Sequence, residues 1–146
     1  MIVLKKFPEI QDEDLKTKRK ILAEPFKEMF AFLIKLNEEA VKKLETTQRK
    51  MGDYYTFLTI ATNDKYEKQN MAKKLCLHQM NHLVENGCKG ICVECTSPKS
   101  THLFFTYFKD CENVAEIVFK DFEFEGQRPF LNLEGKGVLA LVSFDG

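Results

Sequence analysis

Residues Phe57-Leu-Thr-Ile-Ala-Thr-Asn-Asp-Lys-Tyr-Glu-Lys-Gln-Asn-Met-Ala-Lys-Lys-Leu75 change rhythm halfway along. Tyr54 to Ala61 is rich in aromatic and β-branched residues, which predicts a strand. A short polar run follows. Gln69 to Glu85 then predicts a helix, closed by the C-cap signal Asn86-Gly87. Cys88 to Cys95 reads as a buried strand. Residues 54–95 therefore form one βαβ unit, whose two strands must run parallel with a right-handed crossover.

Other elements extend from this unit in both directions. Upstream, Leu15 to about Arg49 carries a helical pattern, with Phe26, Phe30, Leu33, Leu36 and Ala40 at spacings of three and four. Pro25 divides or kinks it, and Gly52-Asp53 ends it. Ile2 to Leu4 reads as the end of a strand, with a loop around Pro8. Downstream, Ser97 is placed as N-cap and Pro98 as the first residue of a helix reaching about Phe108. Val114 to Phe119 and Gly137 to Phe144 predict two further strands that pair antiparallel. The expected fold is α/β (α+β). Its mixed, mostly antiparallel sheet surrounds the parallel βαβ unit in one domain spanning residues 1–146.

The loop between strand and helix is where chemistry enters. A helix N-terminus presents unbonded N–H groups and a partial positive charge, which suit a phosphate. Successive N–H groups in the preceding turn can form an anion-binding concavity. Glycine favours such turns, yet none lies between Gly52 and Gly87. Asn70 is the best substitute, because Asn tolerates the left-handed region. Lys65, Lys68, Lys73 and Lys74 can screen a pyrophosphate. Glu67 opposes it by ~1 kcal/mol at ~4 Å in water. By residues alone, an ordinary strand-to-helix connection stays open as the alternative.

The remaining clusters point to packing. Cys92 and Cys95 lie three apart in a strand and so face opposite sides, which argues against a shared zinc. His78 and His82 share a solvated helix face and lack the glutamate of a metalloprotease motif. No metal is expected. Ser100, Phe104 and Tyr107 fall on one helix face, either as hydroxyls near a ligand or as a capping serine with core aromatics. Cys111 has no suggestive histidine near it in sequence. The chain carries 22 basic and 22 acidic residues, a balance that gives no pull toward nucleic acid. No apolar run is long enough to span a membrane. An odd count of five Cys reads as free thiols in a reducing, cytoplasmic compartment.

Taken together, the chain resembles the GNAT superfamily of acyl-CoA-dependent N-acetyltransferases, and within it the invertebrate aralkylamine N-acetyltransferases. Ile60 to Leu75 is similar to the family's strand, its Tyr-Arg-Gly-x-Gly-Ile-Ala turn and its lysine-rich helix start. Asn86 to Ser100 resembles the next strand and an Ala-Thr-Ser/Asn-x-x-Ser turn. Ala115 to Phe130 resembles the tail beginning Glu-Ile-Pro-Tyr-x-Asp-Tyr, and Lys18 to Leu44 the preceding helical segment. Glu67, Lys68 and Asn70 stand where the turn has its arginine and two glycines. Tyr107 to Cys111 replaces the usual Leu-Gly-Phe after the last helix.

The resemblance implies acetyl-CoA as co-substrate. Its pyrophosphate would rest on the backbone of Lys68, Gln69, Asn70, Met71 and Ala72, and its pantetheine arm on Ile60, Ala61 and Thr62. Ser100 matches a serine of the family's turn, and Tyr107 lies near the slot of a tyrosine that protonates the leaving thiolate. The implied reaction is direct attack of a primary, aralkylamine-like amine on the thioester in a ternary complex. The family's first two strands and two helices precede the segment matching Ile2 to Leu4, so truncation is expected. The glutamate base lies in that part and is not carried over. A shortened sheet would expose an edge for self-association. The alternative function is a truncated or degenerate homologue that binds acyl-CoA without catalysis, or a protein-interaction domain built on the helices of Leu15 to Arg49.

Overall fold

The computed structural model describes residues 24–49 and 51–144. The strand expected at Ile2 to Leu4, the loop around Pro8 and the start of the helical pattern at Leu15 lie outside them. Three helices and four strands are described: α1 (Lys27–Thr46), β1 (Tyr55–Phe57), α2 (Met71–Glu85), β2 (Gly90–Cys95), α3 (Pro98–Tyr107), β3 (Cys111–Val118) and β4 (Lys136–Ser143). The sheet order is β1-β2-β4-β3. β1 and β2 run parallel, as the βαβ reading requires, and both other pairings are antiparallel.

One helix covers one face of the sheet and two cover the other. On the first face, Phe32, Leu36, Ala40 and Leu44 of α1 pack on Cys92, Val114, Leu139 and Leu141. On the second, Cys76, Met80 and Leu83 of α2 join Phe104 of α3 against Ile91, Val93, Val138, Ala140 and Val142. Strand alternation thus sends Cys92 and Cys95 into different cores, as their spacing dictates.

The face that α1 buries keeps Leu36 and Ala40 of the expected stripe but not its phenylalanines. Phe26 and Phe30 are 53% and 43% exposed, whereas Phe32 is 2% exposed. The sequence carries two apolar stripes, and the sheet accepts the one spaced strictly by four. What selects it is a receiving cluster far along the chain: Phe119, Phe122 and Phe130 lie 5.2–5.8 Å from the Phe32 ring. Pro25 sits in a 3-10 turn, Glu24–Phe26, immediately before the helix. At the other end Arg49 makes a two-pronged ion pair with Glu112 of β3 (2.9 and 3.3 Å), which tethers the chain after α1 to the sheet.

Boundaries shift for local reasons. α2 begins at Met71, two residues later than expected, because Lys68 and Asn70 have positive φ and cannot be helical. Its end is a Schellman cap: Gly87, at φ +74°, donates to Val84 O, and Cys88 donates to Leu83 O. β3 begins three residues before the expected Val114, since a bulge between Asn113 and Ala115 breaks the alternation that a sequence reading follows. The strand expected over Tyr54 to Ala61 is paired for three residues only. Its last rung is Phe57 opposite Val93, and Leu58 to Thr62 then parts from β2.

Candidate functional site

The parting of the two parallel strands opens a cavity of about 600 Å³ on the face carrying α2 and α3. Ile60 and Thr62 border it from the departing strand, and Lys68, Asn70, Met71 and Ala72 from the turn and the start of α2. Ser100 and Tyr107 border it from α3. Eight of the ten residues singled out from the sequence therefore meet around one space. Ala61 and Gln69 are exposed beside it and do not line it.

The turn is built in two stages. Asn63 accepts a side-chain hydrogen bond from Lys65 N (3.0 Å) and starts a 3-10 turn, Asp64–Tyr66. The chain then passes through two left-handed residues, Lys68 at φ +60° and Asn70 at φ +58°. These are the two positions where the similar turn carries glycine. Asn70 adopts the conformation its side chain favours, while Lys68 adopts it at a cost of about 1–2 kcal/mol. No side chain caps the N-terminus of α2. Its first residues, Met71 to Lys73, border the cavity, so the partial positive charge of a helix start lies beside it.

Lys68→Gly is expected to raise stability by up to about 1 kcal/mol, since glycine takes the left-handed conformation without strain. Asn70→Val should lower it by about 1–2 kcal/mol, a β-branched residue being strained at that φ. Thermal melts of both variants check the turn directly, and a melting temperature lowered by Lys68→Gly would contradict this backbone geometry.

Charges around the cavity are partly matched. Glu67, expected to repel an anion, is paired with Lys99 of α3 at 3.1 Å. Lys99 also lines the cavity and was not evident from the sequence, because its partner lies 32 residues away. Lys73 lies 4.4 Å from the centre of the Tyr107 ring, a cation–π contact that holds the ring beside the start of α2. His102 packs edge-on against the same ring at 6.0 Å.

Ser100 is engaged in capping. Its hydroxyl donates to Ser97 O (2.9 Å), and its Oγ accepts from Ser97 N (3.3 Å). Ser97 Oγ accepts from Ser100 N in return, completing a capping box. Of the three aromatic-face residues, Phe104 enters the core, and Tyr107 alone turns its ring to the cavity. No disulfide joins any of the five cysteines. Burial pushes Cys76 and Cys111 up to about 11, and Cys92 and Cys95 up to about 12, so these four stay protonated at neutral pH. Among the described residues, no group of three or more His, Cys, Asp or Glu is placed to hold a metal ion. No helix among them is long and apolar enough to cross a membrane.

No family model matches the sequence, and no curated protein matches it. Its architecture is nonetheless recognisable: the four-stranded mixed sheet, parted after its parallel pair and flanked by α2 and α3, is a GNAT N-acetyltransferase fold. It is similar to arylalkylamine N-acetyltransferase 2 from Aedes aegypti, with a TM-score of 0.68 and 16% identity. That likeness covers 97% of this chain and 64% of that one. It is also similar to a mosquito arylalkylamine N-acetyltransferase like 5b, with a TM-score of 0.61 and 20% identity, over 75% of this chain and 51% of that one. The chain thus spans about half to two thirds of these structures.

Proposed function

We propose that this chain binds acetyl-CoA in the cavity beside α2 and transfers its acetyl group to a primary amine of the arylalkyl type. One observation carries the reading. Two left-handed residues, neither of them glycine, hold an uncapped helix N-terminus at the mouth of a gap between parallel strands. The two mosquito proteins named for arylalkylamines support the choice of amine.

In this reading the backbone from Lys68 to Ala72 receives the pyrophosphate, with Lys68 and Lys73 screening its charge. Ile60 and Thr62 guide the pantetheine arm into the gap, alongside Ala61. Tyr107 is the proton donor for the departing thiolate, because the Ser100 hydroxyl already donates within its cap. Ser100 then acts by fixing the start of α3 and with it the wall of the cavity. The rest is approximation: an amine and a thioester held in one orientation react far faster than free in water.

The test is a thermal melt of the chain against acetyl-CoA. At 100 times its dissociation constant the ligand is expected to stabilise by about 2.7 kcal/mol. Asn70→Val should reduce that gain beyond its own effect on stability, since it disturbs the turn that presents the N–H groups. Release of free thiol on adding tryptamine or phenethylamine then tests the transfer. No melting shift at millimolar acetyl-CoA overturns the proposal.

A further inference from the structure

The mouth of the cavity beside α2 gathers positive charge from two helices. The first residues of α2, Met71 to Lys73, border it, and so do Ser97, Lys99 and Ser100 at the start of α3. Each helix start adds the partial charge of its free N–H groups. The ammonium groups of Lys68, Lys73 and Lys99 add to it. Among the described residues that line the cavity, Glu67 alone carries a carboxylate.

That carboxylate is engaged with the far side of the mouth. Glu67 closes the 3-10 turn Asp64–Tyr66 and directly precedes the left-handed Lys68. Lys99 belongs to the first turn of α3. The two side chains meet at 3.1 Å, so one ion pair joins the turn before α2 to the start of α3. Of the three lysines lining the cavity, Lys99 alone is paired with a carboxylate among the described residues. Lys73 lies over the Tyr107 ring instead. Helix stability gives no account of Lys99, because a cation in the first turn faces the positive end of the dipole. No acidic residue of α3 offsets it there. Nor is the pair a strong brace. The Lys99 side chain is 86% exposed, and exposed pairs contribute little to stability. Its distinguishing property is its place, where a carboxylate holds a cation at the mouth of an anion site.

We propose that Glu67 is a built-in competitor for the ligand's diphosphate. Its carboxylate holds Lys99 until the diphosphate arrives, and binding moves the ammonium from Glu67 to a phosphate oxygen. This inference rests on the acetyl-CoA reading above and names what that ligand must displace. The exchange costs one exposed ion pair and gains a charge-assisted contact to an anion of higher charge. It leaves Glu67 unpaired beside the diphosphate. The same carboxylate therefore tempers affinity and speeds the departure of the thiol product, which keeps the diphosphate.

The experiment measures acetyl-CoA binding to the full chain by calorimetry. Lys99→Met is expected to weaken it roughly threefold to tenfold, and Glu67→Gln to tighten it roughly twofold to fivefold. Opposite signs from the two ends of one ion pair are the signature. A pair that only braces the turn against α3 loses the same thing from either end, and both variants would then weaken the ligand. Lys99→Arg keeps the charge and should bind within about twofold of the native chain. S-acetylpantetheine, which has the thioester arm and no phosphate, should respond to neither variant. The opposite signs should persist at about 0.5 M salt, where charges farther apart than roughly 5 Å are screened from one another.

Changes of the same sign overturn the inference, as do changes below about twofold in both variants. An equal response of S-acetylpantetheine overturns it too, and so does loss of the effect at high salt. The two readings fail separately. An acetyl-CoA melting shift that is indifferent to both variants sinks the exchange alone. Where acetyl-CoA gives no shift at millimolar concentration, inorganic pyrophosphate becomes the probe. Opposite responses of the two variants to it keep the exchange and sink the transferase reading, and like responses sink both.

Discussion

Phe32→Ala is expected to destabilise the protein by about 3–5 kcal/mol, measured by denaturant unfolding as a fall in midpoint at unchanged slope. The ring is almost fully buried and touches three other phenylalanines, Phe119, Phe122 and Phe130, at 5.2–5.8 Å. Removing it costs its transfer energy and leaves a hole that those rings close only in part. The space also has a rigid floor. A Cβ on Gly137 would lie 2.5 Å from the Phe32 ring, so the ring rests directly on the backbone of β4. Phe30→Ala is the contrast. Its ring is half exposed, and the loss should stay within about 1 kcal/mol. Comparable losses from the two variants would mean that α1 presents a different face to the sheet.

Gly90→Ala comes next in expected size, about 1–3 kcal/mol, by overpacking and not by a cavity. Gly90 pairs with Ser143 at the start of β2. A Cβ there would overlap the carbonyl oxygen of Val142 and meet the Tyr54 ring at 3.0 Å. Backbone cannot swing aside as a side-chain tip can, so β2 and β4 must separate locally. The rung where Phe144 donates to Lys89 O (2.9 Å) should loosen with them. Amide exchange at Phe144 should speed up in the variant, beside a lower melting temperature. Gly52→Ala supplies the control. Nothing lies within 4 Å of its Cβ position, and its stability should change by less than about 0.5 kcal/mol.

Much of this architecture could be read from local signals. The βαβ unit followed from a change of period between Phe57 and Leu75, and the capping serine and proline of α3 announced themselves. Asn70 was legible as a left-handed residue because its side chain makes that conformation cheap. Lys68 was not, since nothing in a lysine favours φ +60°; only the surrounding turn imposes it. Two other features depend on distant partners. Phe32 displaces Phe30 from the core because of an aromatic cluster some ninety residues away. Lys99 joins the cavity rim by pairing across to Glu67.

The three-rung pairing of β1 has a mechanical consequence. β1 is clamped to β2 from Tyr55 to Phe57, and from Leu58 onward it has no strand partner among the described residues. It is loaded like a beam fixed at one end. A guest entering the gap bends the overhanging segment, while the β2–β4–β3 ladders take none of the deflection. Compliance is thus concentrated in the member that borders the cavity. The width of the gap can adjust to what fills it, and Ile60 is the point at which that movement is felt by the core under α2 and α3.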